Sequence, residues 1–266
     1  MTGGRVGSAR STRRWLGEEL PMPHNITRWT AITQDSISAH IEVIRERIAT
    51  AAERAGRDAS EVTVLGASKH VEMGRILEAI ASGISHVGEN QVQDAEAKFE
   101  SLERPGQLVS LHLIGHLQSN KVRRAVALFD VIQSVDSVRL AGRINSIAGE
   151  LDRHVPIYLQ VNVGLEASKE GVSPDRVIEL AEFVATCEHI GLAGLMAVPP
   201  NLGNTDALRP YFKMLRELRE DLYQLEPYRD AKLELSMGMS EDFEVAVEEG
   251  ATIVRLGSSI WGPRPT

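Results

Sequence analysis

The amino-acid sequence predicts an α/β fold, a single (β/α)8 barrel preceded by an N-terminal helix. Eight short apolar, β-branched runs alternate with helical segments from residue 35 onward, and strands separated by helices of that length pair in parallel. Eight such units close into a barrel more economically than they spread into an open sheet. The open alternative also lacks its marker, since no G-x-G-x-x-G follows any strand and the segment GENQVQDAE holds one glycine.

The first element is a helix. Ile37, Ile41, Ile44, Ile48, Ala52 and Ala55 recur every three to four residues after Asp35, and Gly56 is placed to stop it. Strands are expected at 62–67 (VTVLGA), 85–88, 109–115, 131–135, 156–162, 191–198, 232–238 and 252–257. The helices between them are expected at 73–82, 91–102, 121–128, 137–151, 174–187, 206–225 and 240–249. No linker interrupts residues 35–266, so they are expected to form one domain. The opening MTGGRVGSARSTRRW carries four arginines, no acid and no apolar core, unlike a secretory signal. Residues 1–34 are expected to be a poorly ordered extension, with Met22 as an alternative start.

Composition bounds the function. At 42% apolar and 25% charged residues the chain is expected to fold rather than remain disordered. A net charge of −8 disfavours non-specific nucleic-acid binding, which needs a basic surface to displace counterions. The basic cluster NKVRRAV (residues 120–126) is then the solvated start of a helix. No apolar run is long enough to span a membrane. A lone cysteine, Cys187, excludes an intramolecular disulfide and a cysteine-based zinc site, and it fits a buried inert thiol in a cytoplasmic protein.

In a barrel the C-terminal ends of the strands share one mouth, where polar residues bind or react more often than they stabilise. That filter collects Lys69, Glu89, Asn90, His116, Asn162, Met196, Ser236, Ser240, Arg255, Gly257 and Ser258. Lys69 follows the first apolar run, with Leu65 and Ala67 on its face. Desolvation there would free a neutral amine able to attack a carbonyl; a lysine that snorkels to the rim is the alternative. VRLGSSIWG and LSMGMSEDFEVA place small and hydroxyl residues after strands 7 and 8, where barrels often cradle phosphate. Ser240 also suits a helix cap ahead of Glu241 and Asp242. Arg255 points inward and needs an anion or acceptor, either a ligand or Glu89 or Glu234. A lysine, a phosphate cup and a facing arginine are the parts of a pyridoxal 5′-phosphate (PLP) site.

The segments GASKHVEMGRILEAIASGISHVGENQVQDAEAK, LHLIGHLQSNK, GLMAVPP and LSMGMSEDFEVAVEEGATIVRLGSSIWGPR resemble the PLP homeostasis proteins, the YggS/PROSC family, over about residues 35–264. The resemblance implies a barrel like the alanine racemase N-terminal domain that holds PLP as an imine on Lys69. It places Asn90, His116, Met196, Ser236 and Ser240 in the cofactor site, Arg255 toward the pyridine nitrogen, and Gly257 with Ser258 toward the phosphate. HVEM after the lysine departs from the family's commoner sequence.

An arginine donates a hydrogen bond and leaves the ring nitrogen neutral, which weakens carbanion stabilisation. Alanine racemase works with such an arginine by using a tyrosine from a second domain. Here Tyr158 falls within strand 5, and Tyr211, Tyr223 and Tyr228 fall in or after the seventh inter-strand helix. The expected protein is therefore a monomeric PLP carrier that meets PLP-dependent apo-enzymes transiently. The alternatives are an amino-acid racemase-like enzyme and a lysine-imine aldolase.

Overall fold

The structure is a computed structural model in which residues 36–99, 109–166 and 170–262 are described. The expectation for residues 1–34 lies outside them. Eight parallel strands close in sequence order into a barrel: β1 (Thr63–Ala67), β2 (His86–Glu89), β3 (Ser110–Leu113), β4 (Val131–Val135), β5 (Val155–Val161), β6 (Ile190–Ala197), β7 (Glu234–Ser236) and β8 (Ile253–Leu256). Closure pairs β1 with β8, setting Leu65 beside Arg255.

Helix α1 (Ile37–Arg54) begins where the Ser36 hydroxyl accepts the Ala39 N–H at 3.1 Å and turns off at Gly56, whose φ of +66° suits a residue without Cβ. Its buried stripe holds the expected Ile37, Ile41, Ile44, Ile48 and Ala52 together with Ala51, whereas the expected Ala55 is exposed just past the helix. The outer jacket continues with α2 (Met73–Ala81), α3 (Val92–Phe99), α4 (Val122–Leu128), α5 (Val138–Glu150), α6 (Val177–Ala185), α7 (Arg209–Leu222), α8 (Phe243–Glu248) and α9 (Ser258–Trp261). Helix α1 packs over the seam of the barrel against α2, α8 and α9, clamped by a bidentate Arg47–Glu244 pair.

Two apolar cores result. The larger lies between the sheet and its helices, and a smaller one fills the barrel with Leu65, Tyr158, Met196 and Ile253. Strands covered on both sides read as near-continuous apolar runs, which is why all eight were legible in the sequence.

One expectation is corrected. The helix expected at 174–187 splits into a 3-10 turn, Pro174–Arg176, and α6, which stops at Ala185. Cys187 therefore sits in the following turn, where its N–H reaches back three residues to Val184. It is only half-buried, and partial burial pushes its thiol pKa upward.

Candidate cofactor site at the barrel mouth

A cavity of about 440 Å³ opens at the C-terminal end of the strands, within the range of small-molecule sites. Ala67, the loop of residues 199–205 after β6, Ser240 to Asp242 after β7, and Arg255, Gly257 and Ser258 line it.

Arg255 is the buried charge of this site. One Nη1 donates to the Ser236 carbonyl (2.5 Å) and Oγ (2.9 Å), and Nη2 donates to the Ala197 carbonyl (2.8 Å), tying β8 to β7 and β6. These are its hydrogen bonds among the described residues, so two of the five guanidinium donors remain for an occupant of the cavity. Burial pushes its pKa down to about 10, opposed by the nearby Asp242 carboxylate, so it stays charged at neutral pH. Burial in turn raises Asp242, against the Met239 N–H and Arg255.

Neither expected acid pairs with Arg255. Glu89 accepts from the Ser68 hydroxyl (2.6 Å) and Lys98 Nζ (2.7 Å), and Glu234 accepts from the Tyr158 hydroxyl. Arg255 instead draws on carbonyls exposed at the ragged strand ends.

Ser240 does not cap α8 either. Asp242 occupies that cap position, and the Ser240 hydroxyl accepts the N–H groups of Gly257 and Ser259, both at 3.2 Å. Ser240, Gly257 and the exposed Ser258 thus form one corner of the cavity.

Lys69 lies in a turn beyond β1, and its side chain is exposed rather than desolvated as expected. The strand ends at Ala67, so the alternation that would have faced Lys69 along the wall stops two residues before it, and the turn that follows passes through a left-handed His70 (φ +62°). The base of this turn is nonetheless rigid. Buried Ser68 bonds to the Gly88 carbonyl through N–H and hydroxyl, its own carbonyl accepts Lys98 Nζ at 2.7 Å, and Trp261 Nε1 donates to the Ala67 carbonyl at 2.8 Å.

The other expected residues lie around the cavity rather than in its wall. Asn90 is half-buried after β2, and its carbonyl packs so closely on Gly115 that any Cβ there would collide with it. His116 is exposed and pairs with Glu170 at 3.1 Å beside a second groove, lined by Ser119, Asp136 and Ser137 among others. Met196 and Ser236 are fully buried below the cavity.

Sequence reasoning missed Gln133 and His112, polar residues in the middle of β4 and β3. Both are buried, and Gln133 joins Ser236 Oγ (2.7 Å) to His112 Nδ1 (2.8 Å). The available signal was a polar residue at the centre of an apolar strand. Burial first, then the His86 ring 5.3 Å away, pushes the His112 pKa from 6.5 to about 3. The facing groups are His86 on β2, Ser110 on its own strand and Gln133 on β4, with the Tyr158–Glu234 pair nearby. The unfolded chain protonates this histidine below about pH 6.5 and the folded protein does not. Its contribution to stability is therefore complete above that pH and is lost as pH falls toward about 3, at about 1.4 kcal/mol per pH unit. His112→Asn is expected to flatten the dependence of urea-unfolding free energy on pH by about that slope between about pH 6 and 4.5. An unchanged slope would refute a buried neutral His112.

Comparison with known proteins adds three relatives and a family. The alanine racemase N-terminal domain family model matches residues 39–265. The pyridoxal phosphate homeostasis protein of Aquifex aeolicus is 42% identical over 221 residues, covering 83% of this chain and 95% of the relative. A solved protein of Bifidobacterium adolescentis superposes with a TM-score of 0.80 at 38% identity, over 84% of this chain and 94% of its own. PipY of Synechococcus elongatus PCC7942, solved with PLP bound, superposes with a TM-score of 0.70 at 36% identity, over 82% of this chain and all (100%) of its own.

Proposed function

The chain belongs to the family of pyridoxal phosphate homeostasis proteins, and from that premise we propose that it binds PLP at the barrel mouth and takes part in PLP homeostasis. The observation that carries the reading is the donor set around one cavity. A buried arginine with two N–H groups that no described residue takes stands in its wall, and the Ser240 and Ser258 hydroxyls beside Gly257 form a corner. Such donors suit a ring nitrogen and a phosphate respectively.

When bound, PLP supplies an aldehyde that a lysine amine can hold and a ring that accepts electron density. Lys69, two residues past the cavity-lining Ala67 on a turn pinned through Ser68 and Ala67, would supply that amine. Ser240, whose Oγ accepts the Gly257 and Ser259 amides, holds that corner in shape and would turn its own O–H to a phosphate oxygen. Arg255 would donate to the ring nitrogen. Ser236 and Met196 support the cavity from below, Asn90 shapes its rim, and His116 belongs to the outer edge.

Homeostasis is favoured over racemisation by the same geometry. Arg255 would leave the ring nitrogen a poor electron sink, as the arginine of alanine racemase does, so the second base is what separates the two readings. Among the described residues no tyrosine lines the cavity; the Tyr158 hydroxyl is committed to Glu234 inside the barrel. Exposed Leu165, Val198, Leu202 and Met239 follow β5, β6 and β7, an apolar rim suited to brief contact with a PLP-dependent apo-enzyme. Among the described residues no helix is long and apolar enough to cross a membrane, and we place the protein in the cytoplasm as a monomer.

The test is chemical. Protein incubated with PLP is expected to turn yellow, and borohydride reduction with peptide mapping should find the pyridoxyl group on Lys69. A colourless protein overturns PLP binding, and a label on another lysine overturns the site.

A further inference from the structure

We infer that Gln133 and His112, which do not line the cavity, are positioning residues for Arg255: with Ser236 they form a one-way chain of hydrogen bonds that holds the guanidinium in its aim. What Arg255 faces rests on the PLP reading above; the chain itself does not.

The links cross the barrel interior from β8 to β7, β4 and β3. Arg255 Nη1 donates to Ser236 Oγ (2.9 Å), which donates to Gln133 Oε1 (2.7 Å). Gln133 Nε2 donates to His112 Nδ1 (2.8 Å), and His112 Nε2 donates to Ser110 Oγ (3.0 Å). Its direction follows from its first member. An arginine only donates, so Ser236 Oγ must accept from it and can place its own proton only on an oxygen of Gln133. That turns the Gln133 NH₂ toward His112, which must then present a bare Nδ1 and carry its proton on Nε2. Reversing the amide would leave the Ser236 proton without an acceptor in a fully buried place.

The chain does not deliver protons, because the neutral amide in its middle neither gives up nor takes one. Nor does filling the barrel require it. Leu65, Met196 and Ile253 fill the neighbouring space with apolar groups, and a buried polar chain is no more stabilising than such packing. What a satisfied chain adds is one defined arrangement of its terminal group. Here the terminal group is Arg255, and its position fixes where the two free donors point.

The experiment has a ligand-free and a ligand-loaded arm. In the first, nitrogen NMR of histidine-labelled protein without PLP, with His112→Asn for assignment, is expected to show His112 protonated on Nε2 alone. A proton on Nδ1 overturns the chain's direction. Unfolding of Gln133→Met, Ser236→Ala and the double variant is expected to be non-additive, and additivity overturns the coupling. In the second arm, Gln133→Met is expected to shift the absorbance band of bound PLP and speed its release roughly tenfold. An unchanged band and release rate reduce Gln133 to a structural residue and overturn the positioning role. Should wild-type protein fail to bind PLP while the NMR and unfolding results hold, the PLP reading fails and the chain stands; should PLP bind to Lys69 with the His112 proton on Nδ1, the reverse is true. If Gln133→Met does not fold, Ser236→Ala and the wild-type NMR decide.

Discussion

Lys69→Ala is expected to keep the barrel and lose the cofactor. The side chain is exposed in a turn and makes no hydrogen bond or ion pair among the described residues, so stability should change by no more than about 0.5 kcal/mol. The phosphate corner and Arg255 remain, so residual binding is expected, weaker by about 100-fold or more, which corresponds to about 2.8 kcal/mol. The visible band of the loaded protein and the borohydride-stable adduct should both disappear. A variant that still forms the adduct would move the attachment to another amine, with Lys98 the nearest comparison, since its Nζ lies 2.7 Å from the Ser68 carbonyl beside Lys69. Lys98 is committed to Glu89 and that carbonyl, and these contacts tie it to the turn.

Arg255→Ala is expected to damage both stability and binding. Sequence position alone leaves Arg255 open between a ligand contact and a structural ion pair. The structure shows a guanidinium that cross-links three adjacent strands near Asp242, whose carboxyl pKa burial raises. Removing it strands the Ser236 and Ala197 acceptors and leaves the buried carboxylate alone, a loss of about 3–5 kcal/mol. Chemical denaturation should show this without PLP, and the loaded variant should have a displaced absorbance band. Arg255→Lys separates the two roles. It restores a charge beside Asp242 but not the planar fork that reaches two strands at once, so stability should recover in part while the band stays displaced. A loss below about 1 kcal/mol in Arg255→Ala, with an unchanged band, would contradict this account.

These two residues show how unevenly the site is legible. Lys69 stands out because a charge ends an apolar run, and Gly257 with Ser258 stand out because small residues follow the last strand. Both are local patterns, and barrel topology brings such strand ends to one mouth. The exposure of Lys69 was not legible, because it depends on the strand ending at Ala67, two residues earlier than the lysine, and strand ends are set by pairing with neighbouring strands. The role of Ser240 was misread for a similar reason. A serine before two acids suits a cap, yet its actual partners lie 17 and 19 residues away on the next strand's loop.

By itself, the sequence determined the β/α alternation, the parallel barrel, the stripe of α1 and the set of strand ends from which a site would be built. Those features follow from periodicity and propensity, which act over a few residues. Only the tertiary structure decided which polar groups meet across the barrel. Gln133 and Ser236 are 103 residues apart, and Arg255 reaches 58 residues back to Ala197. Alternation tells which face a side chain takes, but strand stagger sets its height along the axis. A hydrogen bond, short and directional, forms only where two heights agree.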